Sequence, residues 1–141
     1  MPETVQDLLD RKGSECHTIG PDDTVYEAVR RMDAADVGAL MVVEGGRLLG
    51  VVSERDYARK IVLKGRSSKE TPVRIIMTRR LVKVRPTQSL AECAQLMTAR
   101  GIRHLPVVRR GRLLGVLSIR DLLSASDLAG LMLAAVGAPP G

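Results

Sequence analysis

The chain has 141 residues, of which 45% are hydrophobic and 27% charged, with a formal net charge of +6 at pH 7. This composition excludes wholesale disorder and fits one compact domain, or two half-domains that share a core. The basic balance favours an anionic partner: a nucleotide, a nucleic acid or an acidic protein surface. Tyr26 and Tyr57 are the only aromatic residues, so a planar ligand would lie between aliphatic side chains, and the stacking platforms common in single-strand nucleic-acid binding are missing.

The cysteines and the hydropathy pattern indicate a reducing compartment. Cys16 and Cys93 lack metal-ligand spacing, and a secreted scaffold of this size usually carries more cysteines. Residues 1–10 are acidic and carry no hydrophobic signal region, and no apolar run reaches the ~18 residues that a membrane span needs. We therefore expect a cytoplasmic protein without membrane association.

The sequence pattern predicts the same order of elements twice: an entry helix, a short strand, a longer helix, two strands joined by a turn, and a closing helix. In the first half these elements cover 4–12, 16–19, 24–32, 39–43, 47–52 and 54–63. In the second half they cover 73–77, 81–84, 89–100, 104–108, 112–117 and 120–123. The polar stretch 64–72 is predicted to be a linker, and 125–141 an apolar helical tail with a frayed end.

An internal repeat underlies this order. Residues 46–56 (GRLLGVVSERD) return as 111–121 (GRLLGVLSIRD), an offset of 65 residues, and eleven of the fifteen positions in 42–56 match their partners in 107–121. A fixed internal period decides the architecture. We therefore predict an α/β (α+β) fold of two β-α-β-β-α repeats packed about a pseudo-two-fold axis, with the first repeat in 1–63 and the second in 73–124.

Each copy contains a polar tetrad where a strand gives way to a helix. The tetrads are Ser53-Glu54-Arg55-Asp56 and Ser118-Ile119-Arg120-Asp121. One interpretation is structural, because Ser-x-x-Asp is a variant of the capping box. The other is functional: the helix N-terminus suits a phosphate, the aspartate can accept hydrogen bonds from both hydroxyls of a ribose, and the preceding Gly50 and Gly115 would let a ligand approach the backbone.

The paired pattern resembles the cystathionine-β-synthase (CBS) domain, occurring as a tandem pair or Bateman module. The motifs that carry the resemblance are the two hairpins with their tetrads, GIRHLPVV at 101–108, VQDLL at 5–9 and VRIIMT at 73–78. Together they cover the chain from about Val5 to Leu123, and they look most similar to small stand-alone bacterial CBS pairs. The resemblance implies a regulatory module without catalysis, which binds AMP, ADP, ATP or NAD, or in some members S-adenosylmethionine, in clefts between the repeats.

The resemblance also implies roles for individual residues. Asp56 and Asp121 would hold ribose, and Ser53 and Ser118 would meet phosphate or the adjacent ribose, with Arg55 and Arg120 in the same tetrads. The adenine would lie between aliphatic groups of the first strands. The full implied ligand set is Ser53, Arg55, Asp56, Ser118, Arg120, Asp121, Arg103, His104, Thr18, Ile19, Lys83, Val84 and Pro106.

The two copies differ beside this site. Arg103, His104 and Pro106 of the second copy align with Gly38, Ala39 and Met41 of the first. An Arg–His pair beside a phosphate provides charge-assisted hydrogen bonds, so the two clefts should differ. The family resemblance implies that the pair reaches toward the cleft that contains Asp56, although each residue could instead be a solvated strand end.

Three hypotheses remain at this point. The leading one is a nucleotide sensor, a homodimer that acts by a population shift and passes its signal to an effector protein. The second is a structural interaction module with empty clefts, and the third a basic protein that binds nucleic acid. No nucleophile–base pair, carboxylate pair or metal cluster is recognisable in the sequence, so we expect neither an enzyme nor a metal site.

Overall fold

The computed structural model describes residues 3–123, and the predicted tail at 125–141 lies outside them. The described chain is a mixed α/β fold, as predicted. Its elements are α1 (Val5–Lys12), β1 (Thr18–Ile19), α2 (Val25–Ala35), β2 (Ala39–Glu44), β3 (Arg47–Ser53), α3 (Glu54–Tyr57), a π-helical turn (Ala58–Val62), α4 (Val73–Ile76), α5 (Leu90–Arg100), β4 (His104–Arg109), β5 (Arg112–Ser118) and α6 (Ile119–Leu123).

The chain packs as two compact units, and these do not coincide with the sequence repeats. Unit 2 is the continuous segment Cys16–Leu81. Unit 1 combines residues 3–15 with residues 82–123. The entry helix of each repeat therefore belongs to the unit that contains the body of the other repeat.

Backbone hydrogen bonds account for this exchange of entry helices. At the start of α1 the N–H of Val5 donates to the carbonyl oxygen of Gln88 at 2.8 Å. At the start of α4 the N–H of Val73 donates to the carbonyl oxygen of Asp23, also at 2.8 Å. Asp23 and Gln88 occupy the same place in the two repeats, 65 positions apart. Each entry helix thus docks where the long helix of its unit begins.

Unit 2 builds its core on a small sheet. β1 pairs in parallel with β2, and β2 pairs antiparallel with β3, with a bulge between Val42 and Val43. α2 begins at the N-cap Thr24, whose side chain accepts a hydrogen bond from the N–H of Glu27. The buried apolar side chains come from the sheet and the helices: Ile19, Val25, Ala28, Met32, Leu40, Val42, Val52, Ile61, Val73, Ile76 and Met77.

The predicted linker 64–72 lies inside unit 2. The N–H of Val25 donates to the carbonyl oxygen of Thr71 at 2.9 Å, and the N–H of Tyr26 to that of Ser68 at 3.0 Å. The ammonium group of Lys69 lies 5.0 Å from the centre of the Tyr26 ring. The segment is therefore hydrogen-bonded to the first turn of α2.

Unit 1 repeats the arrangement with one correction to the prediction. β4 and β5 pair antiparallel, with a bulge between Val107 and Val108. The predicted strand at 81–84 is wrong in extent, because only Val84 pairs, in a single parallel bridge to Val107. The chain turns at once after it: the side chain of Gln88 accepts a hydrogen bond from the N–H of Arg85, and Pro86 has no N–H with which to extend a ladder. The core is aliphatic apart from Cys93.

The helix predicted over 54–63 is divided in two. α3 has four residues, and the π-helical turn continues it with a hydrogen bond from the N–H of Leu63 to the carbonyl oxygen of Ala58. Ile61 is buried, whereas Ala58 is exposed. A π-helical turn of this kind is often found near functional sites, and this one carries Lys60.

Candidate functional site

Both tetrads form capping boxes at a junction between a strand and a helix. In unit 2 the N–H of Asp56 donates to Oγ of Ser53 at 3.1 Å, and the N–H of Ser53 donates to Oδ2 of Asp56 at 3.0 Å. In unit 1 the corresponding distances between Ser118 and Asp121 are 3.1 and 2.7 Å. The structural interpretation of the tetrads is therefore realised in both copies.

The N–H of the first residue in each short helix also has a partner. Glu54 donates to the carbonyl oxygen of Gly38 at 3.0 Å, and Ile119 donates to that of Arg103 at 2.9 Å. Together with the hydrogen bonds to the serine hydroxyls, these bonds engage most of the backbone N–H groups in the first turn of each short helix, to which a phosphate was expected to bind. Recognition of a ligand at these junctions would therefore depend on side chains.

Asp56 is the buried member of the two carboxylates, with 7% of the residue exposed. Its Oδ2 accepts from the N–H and the hydroxyl of Ser53, the latter at 2.9 Å. Its Oδ1 lies 3.2 Å from the hydroxyl of Thr78 and 3.0 Å from Nζ of Lys60. Lys60 also donates to the carbonyl oxygen of Ile76 at 2.8 Å. Four donors therefore meet a carboxylate that has about four acceptor positions.

Asp121 is less enclosed, with 21% of its side chain exposed. Lys12, in the last turn of α1, places Nζ 2.8 Å from Oδ2 and 2.7 Å from the carbonyl oxygen of Val116 in β5. Within the described chain both donors, Lys12 and the N–H of Ser118, meet Oδ2. No donor among residues 3–123 is found on the other oxygen, Oδ1.

Arg103 and His104 lie beside the Asp121 tetrad of their own unit. His104 is the cross-strand partner of Ser118, so both side chains emerge from the same face of the sheet. The corresponding pair in unit 2 is Ala39 and Ser53. Arg103 and His104 are both exposed. The expectation that they reach toward Asp56 is untested, and stays a prediction.

The other predicted ligand residues fall into two groups. Thr18, Lys83, Arg55 and Arg120 are exposed, whereas Ile19 and Val84 are 2% and 1% exposed and belong to the two cores. Pro106 is buried in β4. Since these core side chains face away from solvent, only their backbone atoms could line a ligand.

The glycines before the tetrads have a different role from the predicted one. A β-carbon built on Gly50 would stand 2.7 Å from the carbonyl oxygen of Thr78, and one on Gly115 would stand 3.0 Å from Cδ2 of Leu9. The group that approaches each glycine is therefore the entry segment of its own unit, α4 or α1. The prediction of ligand approach is replaced by one of close packing.

A surface cavity of about 340 Å³ opens beside β1 in unit 2, and no sequence pattern indicated it. Arg31 lines the cavity. It donates to the carbonyl oxygen of Thr18 at 3.0 Å and to the carboxylate of Glu27 at 3.2 Å. The lining residues are Cys16, His17, Thr18, Arg31, Ala34, Ala35 and Leu40. Thr18 is the one predicted ligand residue among them.

Three residues of the junctions were not predicted: Lys12, Lys60 and Thr78. Lys60 follows Asp56 at a spacing of four residues, a recognisable helical pair. Lys12 and Asp121 are 109 positions apart, and no local pattern could have paired them. In residues 3–123 no group of three His, Cys, Asp or Glu side chains could hold a metal ion, and no helix there could cross a bilayer.

The architecture and the paired junctions define a tandem module of two similar halves, and comparison with known proteins identifies its family. The model of the CBS domain matches the chain twice, at residues 5–63 and 73–128. The chain belongs to the CBS-domain family, and CBS pairs are regulatory modules.

Three relatives illustrate the likeness. CBSX3, a mitochondrial CBS-domain protein of Arabidopsis thaliana, is 42% identical over 134 residues; the match covers 86% of this chain and 64% of CBSX3. The structure of a CBS-domain protein from Burkholderia ambifaria MC40-6 is 42% identical, with a TM-score of 0.74, and the match covers 99% of this chain and 100% of that one. PAE2072 of Pyrobaculum aerophilum, solved in complex with AMP, is 27% identical with a TM-score of 0.76; the match covers 96% of this chain and 100% of that one.

Proposed function

We propose that this chain is a non-catalytic regulatory module that binds an adenosine-containing nucleotide: AMP, ADP, ATP or NAD. The observation that carries the proposal is the junction in unit 1, where a partly exposed carboxylate contacts Lys12 and the adjoining strand brings Arg103 and His104 to the same end of the hairpin. Asp121 has 21% of its side chain exposed, Lys12 contacts it, and Arg103 and His104 flank the adjoining strand. A carboxylate that can accept from a diol, next to groups that attract phosphate, matches the chemistry of a nucleotide. The AMP complex of PAE2072 supports the ligand class.

In this proposal each group has a defined task. Asp121, or its counterpart Asp56, accepts hydrogen bonds from ribose hydroxyls, while Arg103 and His104 meet phosphate. The adenine lies against the first strands, where the exposed Thr18 and Lys83 and the backbone of Ile19, Val84 and Pro106 are the candidates. Ser53 and Ser118 maintain the junctions as caps.

The output would be a shift between arrangements of the protein. A bound ligand shifts such an equilibrium only as far as its affinities for the two arrangements differ. We propose that the chain acts as a homodimer, because closed two-fold symmetry is the usual form of a self-associating protein, and that an effector protein reads the change. Cytoplasmic location stays a prediction, since CBSX3 is a mitochondrial relative.

A structural interaction module is the second candidate, and one observation favours it. Both Ser-x-x-Asp tetrads are capping boxes, and Asp56 is fully occupied by protein donors. In that case the aspartates would contribute to stability and bind no ligand.

A thermal-shift panel tests the proposal, with AMP, ADP, ATP, NAD, S-adenosylmethionine and GTP added to the purified chain. A ligand that binds only the folded state at ~100 times its Kd adds about 2.7 kcal/mol of stability, which is a shift of several degrees at this size. We expect a selective shift with adenosine ligands that Asp121→Asn removes and the surface control Asp33→Asn retains. A flat panel, with no small molecule released from denatured protein, would overturn the proposal, and salt-sensitive binding to generic DNA would favour the nucleic-acid alternative.

A further inference from the structure

We propose that the two aspartates have divided roles: Asp121 is the carboxylate that a ribose reaches, by displacing Lys12, whereas Asp56 is a structural group closed by Lys60 and Thr78. This inference rests on the proposed function, and it goes further by assigning one ligand site per chain and naming the residue that competes for it. The repeated sequence alone would make the two sites equivalent.

Protein donors already occupy the carboxylate of Asp56. Hydrogen bonds from Ser53, Thr78 and Lys60 reach both of its oxygens, and 10% of its side chain is exposed. A ribose would have to break several of these bonds at once, at a carboxylate that is itself buried. Thr78 is also held in place, because its backbone N–H and carbonyl oxygen both bond to Val51.

The carboxylate of Asp121 has fewer protein donors. Its contact with Lys12 is a single ion pair between side chains that are 27% and 21% exposed. A single ion pair of this kind usually contributes little stability, and exchanging it breaks one hydrogen bond at Asp121, against several at Asp56. Lys12 can lose this contact and stay solvated, since its long side chain lies at the surface end of α1. The rest of α1 remains anchored through the buried Val5, Leu8 and Leu9.

The two junctions also differ in the side chains of the adjoining strand. Opposite Ser118 the adjoining strand begins with Arg103 and His104, which are both exposed. Opposite Ser53 it begins with Gly38 and Ala39, which carry no charge. A phosphate attached to the ribose could therefore be met by Arg103, by the imidazole of His104 and by the released Lys12. Lys60, the cation in contact with Asp56, is already engaged with that carboxylate and with the carbonyl oxygen of Ile76.

Isothermal titration of the full chain with AMP and with adenosine tests this division. We expect one AMP per chain for the wild type. Asp121→Asn should weaken AMP binding by about tenfold or more, because a hydrogen bond to a charged group is lost. Asp56→Asn should lower Tm more than Asp121→Asn does, and should leave AMP affinity within about threefold.

The lysines provide the matched control. Lys12→Met removes the competitor, so adenosine, which has no phosphate, should bind about two- to fivefold tighter, the range expected of an exposed ion pair. Lys60→Met should give no such gain and should lower Tm. Should Asp56→Asn fail to fold, Thr78→Val, which removes one of the four donors, supports the same comparison.

The outcomes separate the two proposals. If neither AMP nor adenosine binds the wild type, and none is released on denaturation, the proposed function is overturned and the division of roles with it. If AMP binds with two sites per chain, or if Asp56→Asn abolishes binding while Asp121→Asn retains it, only the division is overturned. Weaker adenosine binding by Lys12→Met would likewise exclude Lys12 as a competitor.

Discussion

Gly50 lies so close to Thr78 that a β-carbon at position 50 would stand 2.7 Å from the Thr78 carbonyl oxygen. That oxygen also accepts a hydrogen bond from the N–H of Val51 at 2.9 Å, so it has little freedom to move. Any larger residue at this position must push the strand away from the segment that follows α4. The glycine therefore fixes the approach of the entry helix in unit 2.

Gly50→Ala should lower the free energy of unfolding by about 1–3 kcal/mol, the usual cost of overpacking against a rigid group. Gly115→Ala is the matched control. Its nearest neighbour would be Cδ2 of Leu9 at 3.0 Å, the end of a side chain that can rotate, and its next is the Cα atom of Ser14 at 3.5 Å. Urea unfolding of the two variants checks the prediction, which is contradicted if Gly115→Ala costs as much or more.

The ends of the two long helices provide a second matched pair. α2 ends at Asp36, with φ of 55°, and α5 ends at Gly101, with φ of 63°. Glycine adopts this left-handed conformation without steric cost, whereas a residue with a β-carbon adopts it only at a cost. Asp36→Gly should therefore stabilise the protein by up to about 1 kcal/mol, and Gly101→Asp should destabilise it by a similar amount. A lower midpoint of urea unfolding for Asp36→Gly would show that Asp36 contributes an interaction which outweighs the strain.

Glu27 makes stability depend on pH at the acidic end. Hydrogen bonds from Arg30 and then Arg31 lower the pKa of Glu27 from 4.5 to about 2. Because the folded-state pKa is depressed, the stabilisation is complete above pH 4.5 and is lost as the pH falls toward 2. Hydrogen bonding also lowers the pKa values of Asp7 and Glu92, so those carboxyls contribute in the same direction.

The test compares Tm with pH for the wild type and Glu27→Gln. The variant should be less stable at neutral pH and should lose less stability between pH 4.5 and pH 2. Glu44→Gln, at the exposed end of β2, is the control and should follow the wild-type curve. Parallel curves for Glu27→Gln and the wild type would show that the pair with Arg30 and Arg31 contributes nothing in solution.

The two thiols should differ in reactivity. Cys93 is 0% exposed in α5, and burial raises the pKa of its thiol to about 12. Cys16 is partly exposed. Since the thiolate is the reactive form, a disulfide reagent at pH 8 should label Cys16 in the native protein and Cys93 only after unfolding. Cys16→Ser should show no rapid labelling, and rapid reaction of that variant would mean that α5 opens readily.

Local patterns predicted most of the elements, and long-range contacts account for the rest. Thr4 and Gly13 delimit α1 as their capping chemistry indicates, and the hairpins lie where the turn residues placed them. The strand over 81–84 was overestimated because an apolar run indicates burial as well as pairing, and only Val84 has a partner. The glycines were assigned to a ligand because nothing in the sequence reveals which group approaches a backbone.

The candidate site was predicted in the same uneven way. The repeat identified both tetrads, and the capping box was recognised as one of their two interpretations. The donors that occupy the two aspartates could not be predicted, because Thr78 is 22 positions from Asp56 and Lys12 is 109 positions from Asp121. Only Lys60, four residues after Asp56, carried a signal in the sequence.

The exchange of entry helices has a consequence for the order of events during synthesis. Unit 2 is one continuous segment that is complete at Leu81, so it can fold while the remainder of the chain is still being translated. α1 is made before unit 2, yet its docking residues, Pro86 and Gln88, follow it by about eighty positions. The first entry helix must therefore wait for the second repeat, and its apolar face stays exposed until that repeat arrives.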